Sequence, residues 1–122
     1  VTPFPTSDKL TFLLQGDAWI TQIILNAHTL TFRMANGCRI ESAQTLIYVA
    51  ADGSHTVHNK PWRDEQPVRF HNLLEKPLLG VTTSGLLMSL SFEGGHQLII
   101  TSDPAPYEAG AVLDPDGTGF YF

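Results

Sequence analysis

Five histidines, one cysteine and a few acidic side chains are the groups in this chain that could carry chemistry. The histidines are His28, His55, His58, His71 and His96, and their spacing does not make a metal site. His55 and His58 stand three apart in a segment that reads as a strand, so their rings face opposite sides. His71 follows Phe70 on a short helical segment and reads as solvated. Cys38 is the only cysteine, so an intramolecular disulfide is impossible and any zinc site would need other ligands. Cys38 and His96 each follow a glycine turn. A nucleophilic Cys–His pair needs an activated thiolate and an orienting group, and nothing local to Cys38 supplies a helix N-terminus. Both residues are expected to close hairpin ends.

Among the acidic residues, Asp52, Asp114 and Asp116 are accounted for by turn chemistry. Asp103 and Glu108 differ, because they flank Pro104-Ala105-Pro106-Tyr107. Two prolines break the strand there, and a loop with aromatic and acidic groups suits partner binding or the covering of a sheet edge. Asp103 with Glu108 as an acid–base pair is the enzymatic alternative. Trp62 lies in Asn59-Lys60-Pro61-Trp62-Arg63-Asp64-Glu65-Gln66, a linker by composition. It is either an anchor onto the core, the favoured reading, or an exposed contact. Trp62, Asp103, Tyr107 and Glu108 are therefore the candidate binding residues. No catalytic residue, metal ligand or cofactor is assigned. The chain lacks a phosphate-cradling glycine loop before a helix, a Gly-x-Ser-x-Gly elbow and paired ligand spacing.

The elements that must position these groups occur twice. Gly37 placed on Gly95, an offset of 95 − 37 = 58, aligns Ile23 with Val81, Phe32 with Leu90 and Ile40 with Leu98. Leu10, Leu13 and Leu14 match Phe70, Leu73 and Leu74 after a two-residue shift. Asp52-Gly53 matches Asp116-Gly117 at an offset of 116 − 52 = 64. The expected fold is mainly β (α+β), with two pseudo-symmetric repeats forming a β-sandwich or partly open barrel. Each repeat is a short helix plus two antiparallel hairpins. Repeat one covers about residues 7–58, the linker 59–66 and repeat two about 67–122, within a single domain over 1–122.

Helix and turn signals support this order. Ser7 or Asp8 can cap the first helix and Gly16 can end it, while Pro67 suits the start of the second and Pro77 its stop. A three-residue loop at Ala35-Asn36-Gly37 pairs Phe32 with Ile40 and Leu30 with Ser42, keeping the apolar set on one face. The same loop at Glu93-Gly94-Gly95 pairs Leu90 with Leu98 and Met88 with Ile100. The second hairpins pair Tyr48 with Thr56 and Val112 with Phe120. Leu46–Val49 is apolar on both faces, so part of that strand is expected to be covered twice.

Bulk properties narrow the partners. The chain has 122 residues, 43% of them apolar and 16% charged, as a folded globule requires. Lys plus Arg is 7 against 12 Asp plus Glu, a formal charge of −5. That charge repels phosphate backbones and anionic membranes, so neither nucleic acid nor membrane is an expected partner. No apolar run reaches membrane-spanning length, and the start, Val1-Thr2-Pro3-Phe4-Pro5, does not read as a signal peptide. Cytoplasmic location is the expectation. A protein partner, a basic one in particular, suits the charge, and exposed sheet edges permit a homodimer.

One resemblance bears on function. The residues Gly80-Val81, Gly85-Leu86, Leu90-Ser91-Phe92-Glu93-Gly94-Gly95, Leu98-Ile99-Ile100 and Tyr107-Glu108-Ala109 resemble a family of small bacterial proteins, mostly actinobacterial, that share a domain of unknown function. The first half resembles them through Ile40-Glu41 and Ala51-Asp52-Gly53, so the likeness runs from about residue 18 to 122. The family pattern has a Leu-x-Leu-x-Phe-x-Asp-Gly hairpin and a closing Tyr-Glu-Ala-Trp; this chain has Gly94 for that aspartate and Gly110 for that tryptophan. The resemblance implies no catalytic residue. Some small proteins of this appearance look like immunity proteins of toxin systems. The leading expectation is a non-enzymatic interaction or accessory protein. A small-molecule binding module with its ligand at the repeat junction is the alternative, and a hydrolytic enzyme using His, Asp or Glu the second alternative.

Overall fold

The computed structural model describes residues 3–58, 69–102 and 110–122. Glycine turns set its strand registers. At the first, the Met34 amide donates to the Cys38 carbonyl (3.0 Å) and the Gly37 amide to the Met34 carbonyl (3.0 Å). Gly37 takes φ +90°, which an L side chain resists. The loop is thus three residues long, and Phe32 pairs with Ile40 and Leu30 with Ser42. The Phe92 amide donates to the His96 carbonyl (2.8 Å) at the corresponding turn, pairing Leu90 with Leu98 and Met88 with Ile100. The turns at 51–53 and 115–117 close in the same way, through Ala50 to Ser54 (2.9 Å) and Asp114 to Thr118 (2.7 Å). They pair Tyr48 with Thr56 and Val112 with Phe120.

Ten strands result. They are β1 (Ile20–Leu25), β2 (Leu30–Met34), β3 (Arg39–Ser42), β4 (Leu46–Val49), β5 (His55–His58), β6 (Leu78–Ser84), β7 (Leu87–Phe92), β8 (Gln97–Thr101), β9 (Gly110–Leu113) and β10 (Gly119–Tyr121). They form two five-stranded antiparallel sheets, not a closed barrel. The first has the order β1-β2-β3-β9-β10 and the second β5-β4-β8-β7-β6. Each sheet therefore takes three consecutive strands from one half of the chain and a hairpin from the other. The chain crosses to the second sheet between Ser42 and Leu46, where the Ser42 hydroxyl and Gln44 backbone bond each other. It crosses back between Thr101 and Gly110.

The pairings of the two sheets correspond. Ile23 opposite Phe32 in the first becomes Val81 opposite Leu90 in the second. Ile40 opposite Val112 becomes Leu98 opposite Tyr48. Even the register shift recurs, between Ile20 and Gln22 and between Leu78 and Gly80.

The two short helices differ from the expectation in type and extent. Both are 3-10 helices, η1 over Ser7–Leu14 and η2 over Phe70–Leu73. The four residues of η2 are the usual extent of a 3-10 piece, whereas the eight of η1 exceed it. Thr6, not Ser7 or Asp8, is the boundary residue of η1, and no side chain caps it. The tighter period explains burial: Leu10 and Leu13, three apart, are fully buried while Leu14 is only half-buried, and Phe70, Leu73 and Leu74 repeat this. η2 ends where Glu75 adopts φ 63°.

Both sheets and both helices contribute to one apolar core. Phe70 of η2 sits between them, its ring 5.8 Å and nearly perpendicular (84°) to Phe32 of the first sheet, and 6.4 Å and perpendicular (89°) to Tyr48 of the second. Edge-to-face contacts of this kind add to the gain from burial alone. Only part of β4 is covered on both faces, as expected: Leu46 and Tyr48 are fully buried on one face and Val49 nearly so on the other, where Ile47 stays half-buried.

Candidate functional site

The four candidate binding residues, Trp62, Asp103, Tyr107 and Glu108, lie outside the described residues. The remaining sequence candidates are placed as follows. His55 is exposed and His58 fully buried, so their rings do face opposite sides. His71 is exposed, and His28 lies in the exposed turn between β1 and β2.

Cys38 and His96 are not brought together. Cys38 is buried in the first sheet, and its thiol donates to the Phe12 carbonyl at 3.6 Å. Burial raises its pKa above the ordinary value, and the Asp114 carboxylate raises it further. A thiol held protonated in this way is a poor nucleophile. His96, half-buried at the end of the second sheet, shares a hydrogen bond with the Tyr48 hydroxyl through Nδ1 at 2.8 Å, and the two rings lie near-parallel (20°). Asn72 of η2 adds a longer donor contact to the same hydroxyl, 3.4 Å. Nothing local in the sequence points to this cluster. The signal available was a tyrosine, Tyr48, inside the otherwise aliphatic Leu46–Val49 run.

A groove of about 330 Å³ runs beside β1. Thr21, Gln22, Ile23 and Leu25 of that strand form one wall, and Phe70, His71 and Leu74 the other. β1 is an edge strand, paired with β2 alone among the described residues. A single parallel bridge from Ile20 to Leu74, with the Glu75 amide donating to the Ile20 carbonyl (2.9 Å), fastens its start to the end of η2. The edge beyond is open among the described residues. Alternation along the ladder sets its polarity. The Asn26 amide donates to Thr29 on β2's side (2.9 Å), so the amides of Ile23 and Leu25 point outwards. Leu25 is 59% exposed, and no charged residue lines the groove.

Comparison with family models, curated proteins and solved structures finds no match. Among the described residues no group of three or more His, Cys, Asp or Glu side chains could hold a metal ion, and no helix is long and apolar enough to cross a membrane.

A second cleft, of about 260 Å³, lies on the other side of Thr21 and Gln22 and reaches Arg33, Cys38 and Arg39. Neither arginine stands out in the sequence by itself. Their opposition follows directly from the three-residue turn, which sets Arg33 across from Arg39.

Proposed function

We propose that the protein is a non-enzymatic interaction protein that accepts an extended segment of a partner protein along β1. The observation that carries this reading is the open edge of β1 beside an apolar groove. An added strand gains affinity from main-chain hydrogen bonds and specificity from alternate side chains set into a pocket. The outward amides of Ile23 and Leu25 supply donors, and the groove between β1 and η2 supplies the pocket. Most natural edges are blunted by charge, proline or a covering element. β6, the other outer strand with a helix beside it, is tied to the preceding segment: Thr83 Oγ1 donates to the Pro5 carbonyl (2.7 Å) and the Phe4 amide to Gly85 (2.9 Å).

The charge of −5 favours a basic partner through electrostatic steering. A cytoplasmic bacterial immunity protein that blocks a basic toxin is a concrete version, in keeping with the family resemblance. We also read the chain as two pseudo-symmetric repeats that have exchanged their second hairpins; the recurring registers and the recurring register shift support this.

The test uses Leu25→Pro, which removes an outward amide while sparing the β1–β2 ladder, and Leu25→Lys. Affinity capture from the native host is run with wild type and both variants, alongside sedimentation of each. A protein retained by wild type and lost from both variants supports the reading. Equal retention by all three removes the β1 edge from it. Self-association of the wild type that both variants abolish would replace the partner by a second copy.

The alternative, a small-molecule module, has the same groove in its favour, since it joins β1 of the first half to η2 of the second. Amide exchange separates the two. A bound strand protects the outward amides of Ile23 and Leu25, whereas an apolar ligand on the groove wall leaves them exchanging.

A further inference from the structure

Arg33 on β2 and Arg39 on β3 are direct register partners on the outer face of the first sheet. Like charges placed opposite each other destabilise a strand pair. The fold does not call for them. The corresponding hairpin of the second sheet, built on the same turn, sets Ser91 opposite Gln97. Its outer face carries the uncharged row Val57, Ile47, Ile99, Ser89 and Thr82.

Neutralisation of the pair is slight. Arg39 Nη1 reaches Glu41 Oε1 only at 4.0 Å, with both side chains 38% exposed, and such a contact is weak in water. Arg33 has no ion pair among the described residues. Two of the seven basic residues in a chain of net charge −5 thus face one cleft of about 260 Å³, with the Thr21 and Gln22 side beside them.

We propose that this cleft binds a small phosphate-bearing molecule, its phosphoryl group held between Arg33 and Arg39. A guanidinium fork matches an oxyanion through two parallel N–H···O bonds. A carboxylate brings a single charge to two guanidinium groups. A tetrahedral phosphate has oxygens and charge enough for two, and it turns the repulsion between the arginines into shared attraction. The cleft is small by the standard of ligand pockets, so the remainder of the molecule is compact. The overall negative charge disfavours a nucleic-acid strand. The inference does not depend on the β1-edge reading, which uses the opposite side of Thr21 and Gln22.

The experiment is calorimetric titration of the full chain with inorganic phosphate and with pyrophosphate at low ionic strength, using chloride at matched ionic strength as the control. Wild type is expected to bind saturably in the millimolar range, with Arg33→Gln and Arg39→Gln each weakening binding about tenfold and Lys9→Gln leaving it unchanged. In phosphate-free buffer both arginine variants are expected to be at least as stable as wild type, because the opposed charge is relieved. Absence of saturable phosphate binding, or equal binding by the variants, would overturn the proposal. So would a marked loss of stability in both arginine variants without phosphate, which would make the pair structural. Arginine-dependent binding of a short single-stranded oligonucleotide without binding of phosphate or pyrophosphate would assign the pair to nucleic acid instead.

Discussion

The Tyr48 hydroxyl and His96 Nδ1, 48 residues apart in sequence, meet at 2.8 Å across neighbouring strands of the second sheet. The corresponding place in the first sheet holds Val112 and Cys38, whose thiol turns instead to a backbone carbonyl. One sheet thus closes its turn end with a hydrogen bond between side chains and the other with one from a thiol to the backbone. A net intramolecular hydrogen bond is worth about 1 kcal/mol. Tyr48→Phe keeps the ring against Phe70 and removes only the hydroxyl, so it is expected to destabilise by about 1 kcal/mol. A double-mutant cycle with His96→Ala, read by urea denaturation, should return a coupling of about that size. Additive effects would mean that the pair touches without stabilising.

Cys38 should be silent to thiol reagents in the folded state. Its burial and the nearby Asp114 carboxylate both favour the protonated thiol, and the thiolate is the reactive species. Modification by a disulfide reagent at pH 8 should be slow in native protein and fast in denaturant. The same shift predicts a pH effect. The folded pKa lies above the ordinary value of 9.0, so the contribution is complete below that pH. As pH rises beyond it, the unfolded chain loses the proton first and stability falls. Cys38→Ala should remove that part of the alkaline slope.

Glu75 is the one described non-glycine residue with positive φ, at 63°. The left-handed region costs an L residue on the order of 1 kcal/mol, which glycine avoids at the expense of a freer unfolded chain. Its amide bond to Ile20 is a backbone bond and survives substitution. Glu75→Gly is therefore expected to stabilise by about 0.5 kcal/mol, raising the denaturation midpoint with an unchanged slope. A lower midpoint would show that the exposed Glu75 side chain contributes more than its backbone costs.

What the sequence made legible is what local chemistry decides. The loop Ala35-Asn36-Gly37 admits one register that keeps Phe32 and Ile40 on a common face, and that register is the one observed. The same holds for Phe120 opposite Val112. Sheet membership was not legible. Between Ser42 and Leu46 the chain changes sheet within three residues, and alternation there is equally compatible with staying in the first sheet. The 3-10 form of η1 was hidden because spacings of three and four both occur among Leu10, Leu13 and Leu14, and only their burial separates the two periods. The β1 groove needs Phe70 and Leu74 placed beside Ile23, contacts that depend on how the halves dock and not on either segment alone.

Phe70 touches both sheets, and a substitution there should reveal how far it holds them together. Its ring is 1% exposed and meets Phe32 of one sheet and Tyr48 of the other edge-on, with the His58 ring 5.1 Å away. In the matching place on η1 stands Leu10, equally buried. Truncating a buried phenylalanine to alanine costs about 3–5 kcal/mol and a leucine about 2–5 kcal/mol, the larger values arising where the surroundings cannot collapse. Phe70 lies between two sheets whose strands are fixed by hydrogen bonds, so Phe70→Ala should fall at the upper end, about 4 kcal/mol or more. Phe70→Leu, which keeps most of the volume, should lose less than half of that. Guanidinium denaturation of the three proteins gives the order. If Phe70→Ala costs no more than Leu10→Ala, the two helices contribute alike, and the sheets are held together by their direct contacts and not by the ring between them.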